Sequence, residues 1–131
     1  MPETPCRPYV LPTRVHAPLD YLLGALLLAA PWLLGFGSAT RAAAPLLGGG
    51  ALLLLLALLS DHEGGALKRL QMPAHLWIEA LLGVALAVSP WALGFDRTAW
   101  LPHLIAGLLL VVLAFFTHTI PGYERRRTRS S

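Results

Sequence analysis

Four stretches of this chain carry no Asp, Glu, Lys or Arg: Tyr21 to Thr40, Ala42 to Ser60, Ala80 to Phe95 and Thr98 to Tyr123. Leu76, Trp77 and Ile78 extend the third backward. A helix needs about 20 mainly apolar residues to cross the hydrocarbon of a bilayer. Soluble domains carry roughly 25% charged residues; here 13% are charged and 56% are hydrophobic, and the mean hydropathy is +0.62. A water-soluble fold of 131 residues could not bury that much apolar surface. The expected fold is an all-α membrane protein with four transmembrane helices, near 17–36, 42–60, 74–95 and 99–119.

Pro18, Pro45, Pro73 and Pro102 fall near predicted helix starts, where a missing N–H costs little, and Pro121 falls past the last helix. Only Pro31 and Pro90 lie well inside predicted spans. They head two matching segments, Pro31-Trp32-Leu33-Leu34-Gly35-Phe36 and Pro90-Trp91-Ala92-Leu93-Gly94-Phe95, at an offset of 59 residues. The register extends back through Gly24 and Gly83, Asp20 and Glu79, and His16 and His75, and forward to Gly48 and Gly107. The chain is one two-helix unit written twice. It divides into an N-terminal arm (1–15), a first hairpin (16–60), a linker (61–73), a second hairpin (74–120) and a basic tail (121–131). Small residues at 38–42 after the first apolar run resemble a signal-peptide cleavage site, but that run is longer than a signal-peptide core, so it reads as a retained span.

Lys and Arg are unevenly placed. The arm (Arg7, Arg14), the linker (Lys68, Arg69) and the tail (Arg125, Arg126, Arg127, Arg129) carry eight, and the hairpin tips only Arg41 and Arg97. The positive-inside rule then places both termini and the linker in the cytoplasm, which makes the units parallel repeats; the expected location is the inner membrane. Trp32, Phe36, Trp91, Phe95 and Trp100 would form an outer aromatic belt, with Tyr21, Trp77 and Tyr123 on the inner side.

Ser89-Pro90-Trp91 with Gly94-Phe95, in the first helix of a two-helix unit and preceded by Gly83, resembles the SPW repeat of small prokaryotic integral membrane proteins. The first copy departs from it, with Ala30 in the serine position. The resemblance implies a membrane location and this hairpin unit; it carries over no activity and no catalytic residues.

Gly24, Pro31 and Gly35 fall on one side of the first helix, and Gly83, Pro90 and Gly94 repeat it on the third. A small-residue face lets helices approach closely. The expectation is that helices 1 and 3 pack through these faces, the alternative being contact within each hairpin through Gly48 and Gly107. Ser89 is placed to donate to a backbone carbonyl near a proline kink.

Asp20 and Glu79 are the candidate functional acids. One reading sets them in the headgroup zone, complementing the helix dipole. The other makes them an acidic pair that binds a cation or relays a proton. His16 and His75 each precede an acid by four residues, so each pair shares one helix side. Four such groups could hold a divalent metal, although a histidine at a span end is more commonly interfacial, and no metal is expected. His103 and His118 stand too far apart along one helix to share a haem iron, His62 is expected on the cytoplasmic side, and Cys6 is a lone cysteine. No catalytic set, phosphate loop or dinucleotide fingerprint is present, so no cofactor and no enzymatic activity are expected. The expected role is structural or accessory, with ion or proton transport through Asp20 and Glu79 as the alternative. The expected partners are the lipid bilayer and a second copy or another membrane protein, with no nucleic acid; the arginine tail serves topology and anionic lipid.

Overall fold

A computed structural model describes residues 11–37, 40–60 and 65–117. Cys6, His62, His118, Tyr123 and the arginine tail lie outside the described residues. The described residues form four helices, α1 (Thr13–Leu33), α2 (Ala43–Leu59), α3 (Met72–Ala92) and α4 (Asp96–Phe115). α1, α3 and α4 are long and apolar enough to cross a membrane, while α2, at 17 residues, stands at the short end of what can span. This is an all-α membrane protein of two tandem hairpins. Leu27, Leu46, Leu53, Leu86 and Leu110, drawn from all four helices, form the central core.

The small-residue faces work within each hairpin, not between α1 and α3. A Cβ built on Gly83 would lie 2.6 Å from Gly107 O, and one on Gly50 would lie 2.8 Å from Gly24 O. Each glycine therefore lets its own hairpin partner come into backbone contact. In the first hairpin the partner of Gly24 is Gly50, not Gly48, which has nothing within 4 Å of its Cβ position. The second helices consequently match at an offset of 57, not 59: Leu46 with His103, Gly50 with Gly107, Leu53 with Leu110, Ser60 with Thr117, all buried. Between matched positions the first hairpin carries two more residues than the second, Pro31 to Gly50 against Pro90 to Gly107.

The proline-tryptophan motif has a different job from the expected one. Gly35 (φ +80) and Gly94 (φ +74) are not packing residues. Each adopts the left-handed conformation just past its helix, which glycine enters without steric cost. Phe36 N–H donates to Pro31 O (3.0 Å), Gly35 N–H to Trp32 O (3.2 Å), and Phe95 N–H to Pro90 O (2.8 Å). This is the Schellman arrangement, which satisfies the orphan carbonyls of a helix end. The motif thus stops α1 and α3. Trp32 and Trp91 face outward, 60% and 54% exposed. Phe95 departs from the expected aromatic belt: it is buried with Ala42 and Ala99, and Phe36 packs against that cluster.

α1 and α3 remain helical past Pro31 and Pro90 and end within a turn. Non-helical backbone interrupts α4 at Ala99 (φ −149°, ψ 38°), close before Pro102. Pro18 and Pro102 lie inside α1 and α4, because both helices begin earlier than expected. Ser89 behaves as its position suggests. Its hydroxyl donates to Leu86 O at 2.7 Å, the carbonyl that Pro90, lacking an N–H, leaves without its helical donor. His103 is buried where α4 meets the start of α2, with Nδ1 2.7 Å from Ala99 O and Nε2 2.8 Å from Ala42 O.

Candidate functional site

His16 and Asp20 lie on one side of α1, and His75 and Glu79 on the matching side of α3, because a four-residue step is about one helical turn. Hairpin packing turns these two sides toward each other. His16 Nε2 is 3.1 Å from Asp20 Oδ2 and 3.1 Å from Glu79 Oε2. His75 Nε2 is 2.9 Å from Asp20 Oδ2 and 3.7 Å from Glu79 Oε2. The imidazoles meet edge to face, 5.4 Å between centroids. One donor atom from each of the four residues falls within 4.8 Å of all the others.

All four side chains are 0% exposed. Asp20 and Glu79 are therefore enclosed by protein, not open to water or headgroups, and so are His16 and His75. Asp20 stands seven residues into α1 and Glu79 seven into α3, about 10 Å along each helix. The carboxylate oxygens of both acids lack a hydrogen-bond partner of good geometry. Buried charges are costly unless something of opposite sign meets them.

Two further residues complete the centre, and both were missed in the sequence. Thr117 Oγ1 lies 2.7 Å from His16 Nδ1, and Ser60 Oγ contacts His75 Nδ1. Both lie just past the ends of α2 and α4, and each hydroxyl donates to a carbonyl in the last turn, Leu113 O for Thr117 and Leu56 O for Ser60. Each histidine is thus oriented by the second helix of the other hairpin. The backbone repeats the crossing: Leu11 N–H donates to Phe116 O (3.1 Å) and Leu70 N–H to Leu59 O (2.8 Å). The available signal was the offset of 57, which makes Ser60 and Thr117 equivalent; at 59, Ser60 falls opposite Thr119.

The repeats, the capped Pro-Trp motif and the hairpin pairs are now all placed, and the SPW repeat domain matches residues 14–117. The chain belongs to the SPW repeat family. All six residues of the buried centre fall inside the matched region. No match was found among curated proteins or solved structures. In this SPW protein the motif and the centre sit at opposite ends of α1 and α3: the motif ends each helix, and the histidine–acid pair occupies its first half.

Proposed function

We propose that this SPW protein is a cation-handling protein of the inner membrane, both termini cytoplasmic, whose working site is the centre shared by its two repeats. The observation that carries this reading is the burial of four ionisable side chains at one point between the hairpins. Ionisable groups inside a membrane protein are expensive and mark ion or proton pathways. A carboxylate kept only to complement a helix dipole contributes about 0.3–1 kcal/mol and needs no burial. Asp20 and Glu79, with His16 and His75, present alternating acidic and basic groups through which a proton or a metal cation could be held and passed. The chain itself is assigned no catalysis.

The test is flux. Purified parent, Asp20→Asn and Glu79→Gln are reconstituted in proteoliposomes, and proton movement and divalent-cation movement are recorded with trapped indicators. The expected result is movement of one of the two in the parent and its loss in both variants. A parent that moves neither refutes the transport part of the reading.

An accessory role is the second reading, favoured by one observation. α1 and α3 meet through this polar centre, so the same groups can serve as a clamp that presents the bundle to a second copy or to another membrane protein.

A further inference from the structure

We propose, resting on the cation-centre reading above, that the centre is a four-coordinate site for a divalent transition-metal ion of the zinc class, ligated by His16 Nε2, His75 Nε2, Asp20 and Glu79.

The first argument is the direction of the hydrogen bonds. A hydroxyl has one proton to give. Ser60 gives its proton to Leu56 O, and Thr117 gives its proton to Leu113 O. Toward the histidines both oxygens can only accept, so each imidazole carries its N–H on Nδ1. In the neutral ring Nε2 is then a lone pair. Those lone pairs face Asp20 Oδ2 and Glu79 Oε2, and lone pairs repel anionic oxygens unless positive charge lies between. A divalent cation supplies it and brings the centre, two neutral imidazoles and two carboxylates, to zero net charge. This is also the outer-shell pattern of metal-bound histidines, whose second ring N–H is held by an acceptor.

The second argument is size. Zinc bonds to histidine nitrogen and carboxylate oxygen run about 2.0–2.1 Å, so tetrahedral donors stand roughly 3.3 Å apart. The four nitrogen–oxygen separations here are 2.9, 3.1, 3.1 and 3.7 Å. They bracket that value; across all six pairs the donor atoms lie within 4.8 Å of one another, so the widest pair must draw in to complete the sphere.

The alternative source of charge is a second proton on each imidazole. It fits less well. His16 Nε2 lies 3.1 Å from two carboxylate oxygens yet has a hydrogen bond of good geometry with neither, and Asp20 Oδ1 and Glu79 Oε1 would stay buried without a partner. The donor set also selects among metals. Calcium takes six to eight oxygens and magnesium an octahedron of oxygens and waters, whereas two imidazoles with two carboxylates suit zinc, iron, cobalt or nickel.

The experiment uses the full chain purified in detergent, stripped with a chelator and dialysed against Zn²⁺ or Co²⁺ with excess Mg²⁺. Metal is counted by mass spectrometry, and Co²⁺ coordination is read from its visible absorption. The expected result is one ion per chain, with the intense bands of four-coordinate cobalt, unaffected by Mg²⁺. His16→Gln with His75→Gln should abolish binding. Ser60→Ala and Thr117→Ala, which keep all four ligands, should each weaken it about 10–100-fold; these two guard against a double variant that merely fails to fold. A folded parent that takes up no stoichiometric metal, or a double-histidine variant that binds like the parent, overturns the proposal. A parent that binds no metal but whose proton flux vanishes in Asp20→Asn and Glu79→Gln sinks the metal and leaves the cation-handling reading standing. A parent that binds one ion and moves neither ion nor proton sinks transport and leaves the metal site.

Discussion

Replacing Gly107 by alanine adds one methyl group where two helices touch backbone to backbone. That Cβ would stand 2.6 Å from Ala87 N and 2.7 Å from Ala87 Cβ, with Gly83 O also in the way. Ordinary carbon contacts begin near 3.5 Å, so clearing Ala87 alone requires α3 and α4 to separate locally by roughly 0.8–0.9 Å, and Gly83 O, closer still, requires more. The obstacles on two sides are main-chain atoms of α3, which cannot rotate away. Overpacking of this kind costs about 1–3 kcal/mol, and the better helix propensity of alanine returns at most ~1 kcal/mol. The expected net loss is about 1–2 kcal/mol. Gly48→Ala supplies the internal control. It makes the same chemical change with nothing within 4 Å, so only the propensity gain remains and the sign reverses. Gly24→Ala should fall between, because its obstacles include Leu54 Cγ and Cδ2 at 2.7 and 2.8 Å, side-chain atoms that can turn aside. The assay is unfolding by SDS titration in mixed micelles, followed by tryptophan fluorescence. A Gly107→Ala midpoint equal to or above that of Gly48→Ala would refute the hairpin contact.

Three other outcomes follow from the same geometry. Gly94→Ala, at φ +74°, forces a side chain into the left-handed region and should cost about 1–2 kcal/mol in the same titration; Gly94→Asn should cost less, since asparagine tolerates that region. Ser89→Ala removes the donor to Leu86 O and should cost about 0.6–2 kcal/mol. Ala30→Ser should give the first repeat the bond it lacks and raise its midpoint, and no gain would break the equivalence of the two prolines. Reporter fusions after Ser131 and after Thr40 should report opposite sides of the membrane, the former cytoplasmic; a cytoplasmic Thr40 fusion would reverse the topology drawn from the basic residues.

The helices and the doubling were legible because both leave local marks. Uncharged runs give spans, and a repeated Pro-Trp-x-x-Gly-Phe needs no partner to be seen. The role of that motif was less legible. On a helical projection Gly35 and Gly94 join the face of Gly24 and Gly83, and only backbone dihedrals reveal that the helix has already ended. The register of the second helices was misread by two residues because the hairpin connections differ in length and Gly48-Gly49-Gly50 offers three candidates. That slip hid Ser60 and Thr117. The two histidine–acid pairs were visible as pairs on a helix side. Their convergence was not, since it depends on how one hairpin lies against the other, which no local pattern records.

The division of labour between the halves explains why the unit occurs twice. One hairpin carries a histidine, an acid and a hydroxyl, the apparent makings of half a site. Yet its hydroxyl does not reach its own histidine: Ser60 of the first hairpin holds His75 of the second, and Thr117 of the second holds His16 of the first. The acids cross in the same way, Asp20 Oδ2 lying 2.9 Å from His75 Nε2 and Glu79 Oε2 3.1 Å from His16 Nε2. A lone hairpin would expose a carboxylate and an imidazole to lipid with neither oriented, at the cost that buried unpaired charge carries. Association of two hairpins removes that cost on both sides at once. Joining them in one chain fixes the partner and permits the halves to differ: Asp20 against Glu79, Ser60 against Thr117 and Ala30 against Ser89. Two identical hairpins related by strict symmetry could hold a cation, but only between matching acids; here one arm of the centre is a methylene longer than the other.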